Sequence, residues 1–284
     1  MLRRALSALL LGTSLGLAAL TGPAVAQSAS VPPPDIAARS WFLFDVTTNT
    51  VLYSQTPDER VEPASLTKLM TAYVVFEALR DGTLKPDARP PVSNRAYKSA
   101  GSRMFVDPRS PATVDELLHG LIIQSGNDAA IILAEAVAGS EEQFAEQMNA
   151  EARRLGMKNS HFVNASGLPA PDHYSSARDM AVLATRIIKE FPQYYRLYSE
   201  REYTFNGVRQ PNRNRLLAID PSVDGMKTGF TDAAGYCLVA SAHREQKNAT
   251  DPQGSQFSRR ILSVLLGASS DATRATESQK LLNY

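Results

Sequence analysis

Two residues three positions apart, Ser65 and Lys68, could together carry out acyl transfer. A serine hydroxyl is a weak nucleophile at neutral pH and needs a base within hydrogen-bond reach. On one helix, residues at this spacing lie on the same face, one turn apart. Burial of Lys68 would lower the pKa of its amine and let it accept the serine proton. The S-x-x-K pattern is common, and a surface Ser–Lys pair would look the same, so it indicates catalysis only together with other elements.

Two further motifs supply groups that could surround a peptide bound at that serine. Ser125-Gly126-Asn127 carries a second hydroxyl and an amide with little bulk between them. Lys227-Thr228-Gly229 carries a cation and a hydroxyl, and its glycine would let a ligand lie close to a strand. Each motif occurs once, and the order of the three motifs agrees with one known constellation of catalytic residues.

The elements that must position these motifs follow from hydrophobic spacing and capping residues. Apolar residues recur at helical spacing after Ser65 until Asp81-Gly82 ends the pattern, which places Ser65 at or near a helix start. Ser125 falls in an interruption between two apolar helices, and Lys227 falls in a strand. The predicted helices cover 65–79, 114–123 with Thr113 as N-cap, 128–138, 141–155 and 177–190 with Ser175 or Ser176 as cap, and another opens near Thr273.

Strands are predicted near both ends of the chain, with helices between them. They cover 41–46, 51–53, 202–205, 225–228, 235–242 and 261–267. This order predicts an α/β fold of the α+β kind, in which one antiparallel β-sheet, formed where the two ends of the chain meet, is flanked by helices and a helical subdomain. The polar stretch from Arg244 to Ser258 is predicted to be a long hairpin loop.

Composition excludes several classes of function. The chain has 284 residues, of which 43% are apolar and 21% charged, and its net charge is +1. These values indicate a folded globular protein and offer no basic field for nucleic acid. The four histidines have no metal-ligand spacing, and Cys237 lies in an apolar, strand-like segment. We therefore expect no metal site, no cofactor and no nucleic-acid partner.

The N-terminal segment predicts export. Arg3 and Arg4 precede an apolar run, 5–20, that ends near Ala24-Val25-Ala26. This is typical of a secretory signal peptide, 1–26, followed by a flexible leader, 27–33, and a folded domain, 34–284. A single-span membrane anchor is the alternative, but serine, threonine and glycine residues interrupt the apolar run.

The three motifs and their surroundings resemble the low-molecular-mass penicillin-binding proteins, specifically the serine-type D-Ala-D-Ala carboxypeptidases. The likeness covers about 34–284, and its further segments are Val223–Thr231, Gly235-Tyr236, His161–Asn164 with Gly167-Leu168, Ser176–Met180 and Arg274 before Glu277-Ser278. The resemblance implies a β-lactamase/transpeptidase-like fold and a protein of the periplasm or cell envelope, at the outer face of the inner membrane. It also implies peptidoglycan stem peptides as substrate and β-lactams as covalent inhibitors.

Carried over to this sequence, the resemblance implies roles for the residues of the first two motifs. Ser65 would attack the peptide carbonyl between two D-alanines and form an acyl-enzyme that water hydrolyses. Lys68 would accept its proton. Ser125 would relay a proton to the departing D-alanine, and Asn127 would hold the amide of the substrate.

The resemblance also implies a pocket for the terminal carboxylate and an oxyanion hole. Lys227, Thr228 and the guanidinium of Arg274 would bind the carboxylate, for which a hydroxyl and cations are suited. Gly229 would leave room for the peptide, and the backbone N–H groups of Ser65 and Phe230 would hold the oxyanion. Thr228 could instead merely favour its strand, and Arg274 could be a solvated residue at a helix start.

The sequence departs from the family pattern at its end. Family members usually continue into a small β-rich domain and an amphipathic helix that rests on the membrane, whereas this sequence stops at Tyr284. Either the natural protein is a soluble form or the sequence is shortened. Membrane contact is expected only if such an anchor exists.

Three other functions share part of the pattern. A peptidoglycan D,D-endopeptidase would cut a crosslink instead of a terminal residue, and the presence of Arg274 favours the carboxypeptidase. A β-lactamase would need a base for rapid deacylation, but Gly126 stands where class A enzymes carry Asp and no E-x-x-L-N segment follows. A non-catalytic peptidoglycan-binding module would not need all the motifs to be intact.

Overall fold

A five-stranded antiparallel β-sheet organises the computed structural model, which describes residues 32–247 and 256–284. The predicted signal peptide and residues 27–31 of the predicted leader lie outside these residues. The sheet has the strand order β2-β1-β7-β6-β5. Its strands are β1 (Ser40–Asp45), β2 (Thr50–Gln55), β5 (Val223–Thr231), β6 (Gly235–Lys247) and β7 (Gln256–Ala268), and a separate hairpin is formed by β3 (Glu202–Phe205) and β4 (Val208–Pro211).

The two ends of the chain meet in the middle of this sheet. Strand β1 pairs with β2 on one side and with β7 on the other, where Phe42 lies opposite Val264. The prediction of one antiparallel sheet built from both ends of the chain is therefore confirmed.

The sheet separates two hydrophobic clusters, because successive side chains of a strand point to opposite faces. Phe42 belongs to the larger cluster, with the helices of the middle of the chain. Its neighbours Trp41 and Leu43 belong to the smaller cluster, with Leu281 and Leu282 of the last helix. Full burial of each such side chain stabilises the fold by about 1.5–3 kcal/mol.

The helices pack on both faces and build the helical subdomain. They are α1 (Thr67–Arg80), α2 (Asn94–Tyr97), α3 (Val114–His119), α4 (Asn127–Ala138), α5 (Glu141–Leu155), α6 (Ala177–Glu190), α7 (Pro192–Tyr195), α8 (Leu216–Ile219) and α9 (Asp271–Asn283). Thr113 and Glu116 form a capping box at the start of α3, and Ser176 caps α6. Both caps agree with the sequence analysis. Within the described residues, no helix has the length and apolar character needed to cross a bilayer.

Two predictions about the β-structure are corrected. The segment 244–258 is not wholly a loop, because β6 runs to Lys247 and β7 starts at Gln256, with Arg244 opposite Arg259. A two-stranded extension can carry polar residues throughout, so the alternation that marks a half-buried strand is missing. Strand β4 was missed, although Asn206-Gly207, with φ of 47° and 77°, is a hairpin turn signal.

Candidate active site

Ser65 lies in a 3-10 turn, Ala64–Leu66, that leads directly into α1. Lys68 follows one turn later and is buried, with 1% of its surface exposed. The distance from Lys68 Nζ to Ser65 Oγ is 3.0 Å. The predicted same-face arrangement is therefore confirmed, and a proton could pass between these two atoms without rearrangement of the backbone.

The surroundings of Lys68 weaken its hold on a proton. Its amine lies 2.7 Å from Asn127 Oδ1 and 2.6 Å from the carbonyl oxygen of Ser166. The pKa of Lys68 falls from 10.5 to about 7, chiefly because burial desolvates the amine and to a lesser extent because of the charge of Arg213, while Asp128 and Glu141 act in the opposite direction. A substantial fraction of the amine is unprotonated at neutral pH and able to act as a base.

A second hydroxyl–amine pair lies nearby. Lys227 Nζ on β5 lies 2.9 Å from Ser125 Oγ, and both residues are buried. Ser125 follows a π-helical turn, Gly120–Gln124, and has a φ of 66°, in the left-handed region that non-glycine residues rarely adopt. Burial and the nearby cations hold the pKa of Lys227 well below its usual value. The structure thus brings the second and third motifs together.

Asn127, the first residue of α4, contacts the first of these two pairs. Its Oδ1 accepts the bond from Lys68, and its Nδ2 donates to the carbonyl oxygen of Ala100 at 2.6 Å. Both ends of the amide therefore have partners within the protein. The resemblance implies that Asn127 holds an amide of the substrate. That amide would bond to Asn127 alongside these two partners or in place of one of them.

Gly229 is needed where β5 passes the nucleophile. A Cβ at this position would lie 3.1 Å from the carbonyl oxygen of Pro63 and 3.2 Å from the backbone nitrogen of Ser65. The absence of a side chain therefore lets the strand approach the turn that carries Ser65. Phe230, the next residue, is 48% exposed, and its ring centroid lies 4.3 Å from that of Tyr236.

Arg274 lies in the first turn of α9 and points toward the same strand. It is 7% exposed, donates to the carbonyl oxygen of Gly229 at 3.3 Å and pairs with the carboxylate of Asp271. Its guanidinium also lies over the ring of Tyr236. The alternative that Arg274 is a solvated residue at a helix start is wrong.

One cavity of about 740 Å³ joins these groups. Lys68 and Lys227 lie beneath its surface, each in contact with a serine that faces the cavity. The predicted site residues that line it are Ser65, Ser125, Asn127, Thr228, Gly229, Phe230 and Arg274. The Ser65 hydroxyl, in contact with the Lys68 amine, therefore shares one cavity with the Arg274 guanidinium and the Thr228 hydroxyl.

Three residues at the site were missed by the sequence analysis. Ser166 supplies a carbonyl oxygen to Lys68, and Arg213 lines the cavity. His173 lies behind the nucleophile, where its Nε2 contacts Thr67 Oγ1 at 2.8 Å and its Nδ1 accepts from Val163 N at 3.0 Å. A signal exists for Ser166 alone, because it lies between the two short segments, 161–164 and 167–168, that resemble the family.

His173 offers a test of how the segment that carries Ser166 is held. Burial lowers the pKa of His173 to about 4, so the ring is neutral at pH 7. His173→Ala should lower the free energy of unfolding by about 2–4 kcal/mol, because the buried Thr67 hydroxyl and the Val163 N–H lose their partner and a cavity remains. Urea denaturation measures this loss.

The control for that experiment is the more exposed His161, whose Nδ1 bonds only to the carbonyl oxygen of Asp172. We expect His161→Ala to change the free energy of unfolding by less than about 1 kcal/mol. Equal losses in the two variants would contradict a special role for His173.

The chain matches known proteins over most of its length. The peptidase family S11, described as D-alanyl-D-alanine carboxypeptidase, matches residues 26–251. D-alanyl-D-alanine carboxypeptidase DacC of Escherichia coli K12 is 43% identical over 98% of this chain and 69% of DacC.

Two solved structures support the same assignment. Penicillin-binding protein 5 from Haemophilus influenzae superposes with a TM-score of 0.81 at 41% identity, covering 89% of this chain and 72% of that one. Penicillin-binding protein D2 from Listeria monocytogenes, in its ampicillin-bound form, superposes with a TM-score of 0.77 at 29% identity, covering 89% of this chain and 98% of that one. The chain therefore belongs to the D-alanyl-D-alanine carboxypeptidase family of serine peptidases, and it is an enzyme of the penicillin-binding kind, as its motifs indicated.

Proposed function

We propose that this enzyme removes the terminal D-alanine from peptidoglycan stem pentapeptides through an acyl-enzyme on Ser65. The observation that carries the proposal is the 3.0 Å contact between the Ser65 hydroxyl and a buried amine whose pKa is about 7. A hydroxyl beside such an amine is an activated nucleophile. The same cavity holds groups suited to binding a carboxylate, and the C-terminal end of a peptide carries a carboxylate.

The first half of the reaction uses both hydroxyl–amine pairs. Lys68 accepts the proton of Ser65 while the serine oxygen forms a bond to the carbonyl carbon of the penultimate D-alanine. The backbone N–H groups of Ser65 and Phe230 stabilise the resulting oxyanion. Ser125, whose hydroxyl contacts Lys227, passes its proton to the departing nitrogen as the C–N bond breaks. The proton that Lys68 took from Ser65 replaces it, so that Ser125 is again a hydroxyl and Lys68 is again neutral.

The second half hydrolyses the ester. Once the free D-alanine has left, a water molecule attacks the acyl carbon, and a neutral Lys68 can accept a proton from that water. The oxygen of Ser65 takes a proton back as the C–O bond to the enzyme breaks. Both steps use the same base, so one lysine with a pKa near neutrality serves each of them.

Arg274 supports carboxypeptidase activity over endopeptidase activity. With Lys227 and Thr228, it would hold the carboxylate of the terminal D-alanine, which a crosslinked peptide bond lacks at that position. The buried setting of Arg274 strengthens such a contact, because it is screened less by water.

We also propose that β-lactams acylate Ser65 and inhibit the enzyme. A relative of the same fold, penicillin-binding protein D2 of Listeria monocytogenes, has been solved in its ampicillin-bound form. A β-lactam offers a reactive amide beside a carboxylate, which suits the same two parts of the cavity. We propose in addition that the protein is exported to the cell envelope, and an N-terminus at Gln27 in the native protein would test cleavage of the signal peptide.

One set of incubations separates the candidate functions. The purified protein is mixed with a labelled penicillin, with a D-Ala-D-Ala pentapeptide and with crosslinked muropeptides. A stable adduct together with D-alanine release supports the proposal. Rapid penicillin turnover would indicate a β-lactamase, cleavage of crosslinked material alone an endopeptidase, and the absence of any adduct or product a binding module.

Replacement of Arg274 tests the carboxylate pocket. Arg274→Gln should lower kcat/KM for the pentapeptide by about 10–100-fold, because a charge-assisted contact to the terminal carboxylate is lost. Steady-state kinetics of D-alanine release measure the change.

The control for Arg274 is a pentapeptide with an amidated C-terminus. Parent and variant should cleave this substrate with similar, low efficiency, because neither can make the charged contact. If the variant loses as much activity on the amide as on the acid, Arg274 does not bind the carboxylate.

A further inference from the structure

Arg213 bridges the segment after β4 to the turn that presents Ser125. Its Nε donates to the carbonyl oxygen of Gln124 at 3.2 Å, and its Nη2 donates to Ser102 Oγ at 3.0 Å. Ser102 Oγ in turn donates to the same Gln124 carbonyl oxygen at 2.8 Å. Two side chains from distant parts of the sequence therefore hold one carbonyl group.

That carbonyl group belongs to a part of the backbone that needs external support. Gln124 ends the π-helical turn, and the last carbonyl groups of a helix lack partners within it. The next residue, Ser125, is in the left-handed conformation, where its hydroxyl reaches Lys227. Fixing Gln124 therefore fixes the direction of the Ser125 hydroxyl.

Within the part of the chain that the structure describes, Arg213 has no carboxylate partner. The other two arginines of the cavity, Arg215 and Arg274, both pair with Asp271. Among the ion pairs formed by residues 32–247 and 256–284, none includes Arg213. Its positive charge therefore acts on the neighbouring lysines, and it lowers the pKa of both Lys68 and Lys227.

We propose that Arg213 is a positioning residue with two effects, in that its hydrogen bonds fix the Gln124–Ser125 turn and its positive charge acts on the two lysines of the site. This inference rests on the proposed function, in which Lys68 is the base for acylation. It adds a residue that touches neither Ser65 nor the amine of Lys68. Arg213 acts on Ser125 through the turn and on Lys68 through its charge.

The other charged groups that face Lys68 are already engaged. Asp128 on α4 accepts from the backbone N–H groups of Met104, Phe105 and Val106. Glu141 on α5 accepts from the backbone of Ala165 and pairs with Arg95. Lys227 on β5 is a further neighbour, and the charge of Arg213 lowers its pKa as it lowers that of Lys68. Removal of Arg213 therefore leaves the opposing acidic groups in place.

The direction of the pH effect follows from these charges. Acylation requires the unprotonated amine, so its rate rises with pH through the pKa of Lys68, near 7. Without Arg213 the protonated form of Lys68 is less disfavoured, and the pKa rises. The midpoint of the rate profile should then move to higher pH.

The experiment measures the rate of acylation by a fluorescent penicillin as a function of pH in the full chain. For Arg213→Gln we expect the midpoint to rise by at least about half a pH unit, which makes acylation about threefold slower on the acidic side. Arg213→Lys restores a charge and should return the midpoint toward the parent value. Ser102→Ala removes one hydrogen bond to the Gln124 carbonyl oxygen and no charge, so it should lower the maximal rate without moving the midpoint.

The matched control is Arg215→Gln, which removes an arginine of the same segment that is paired with Asp271. Its midpoint should equal that of the parent enzyme, and melting temperatures check that each variant is folded. If the parent rate rises with pH as expected but the midpoint of Arg213→Gln is unchanged, the role of Arg213 is overturned and the assignment of Lys68 as base is not. A parent rate that does not depend on pH overturns both this role and the assignment of Lys68 as base.

Discussion

Replacing Ser65 with alanine should abolish covalent labelling by penicillin and lower kcat/KM for a D-Ala-D-Ala pentapeptide by at least about 10⁴-fold. The reason is that the acyl-enzyme forms on the hydroxyl that this change removes, and a neighbouring group cannot take over its position 3.0 Å from Lys68 Nζ. Mass spectrometry of the adduct and kinetics of D-alanine release measure the two effects.

The fold should survive the change. Ser65 is only partly buried, and its loss should alter the free energy of unfolding by less than about 1 kcal/mol. Ser110→Ala, at an exposed serine outside the cavity, is the matched control and should keep full labelling. An adduct that persists in the Ser65 variant would assign the nucleophile to another residue.

Replacing Lys68 with methionine should slow acylation by at least about 10³-fold while leaving the nucleophile in place. Methionine has a similar length and fills the buried site, but it cannot accept a proton. It also leaves Asn127 Oδ1 and the carbonyl oxygen of Ser166 without their donor, so the free energy of unfolding should fall by about 1–3 kcal/mol. The rate of penicillin labelling and urea denaturation measure these two changes.

The control for Lys68 is an exposed lysine at the end of α2, Lys98. Lys98→Met should leave the labelling rate and the stability as they are in the parent. Labelling of the Lys68 variant within tenfold of the parent rate, in a folded protein, is incompatible with Lys68 as the general base.

Much of the site could be predicted from local patterns, because each of the three motifs is short and continuous. The spacing of Ser65 and Lys68 fixes their relation across the 3-10 turn and the start of α1. The glycine of Lys227-Thr228-Gly229 was predicted to let a ligand lie close to the strand, and the structure shows the turn that carries Ser65 beside it. The starts of α3 and α6 were also predictable, because their caps act locally. Thr113 illustrates this, since its partner Glu116 is three residues away.

The residues that sequence analysis missed act across large separations in the chain. Arg213 reaches the carbonyl group of Gln124, and His173 reaches Thr67. An arginine in a polar segment and a single histidine carry no pattern that names their partners. These contacts depend on how the hairpin β3–β4 and the segment 161–175 pack, which only the tertiary structure determines.

The error in the segment 244–258 has a different physical origin. Strands β6 and β7 continue as a pair beyond their contact with β1 and β5, and residues such as Arg244 and Arg259 lie opposite one another there. Hydrophobic alternation reports burial of one face and not hydrogen bonding of the backbone. A paired but polar extension therefore resembles a loop in the sequence.

The pairing of β1 with β7 has a consequence for how the chain folds. Residues 40–45 cannot complete their hydrogen bonds until residues 256–268 have been synthesised, so the central ladder joins segments separated by most of the polypeptide. Such long-range contacts slow folding, because the entropy of a large loop is lost before the pairing compensates for it. Until then the hairpin β1–β2 has an open edge toward the place of β7, which makes incomplete chains susceptible to aggregation.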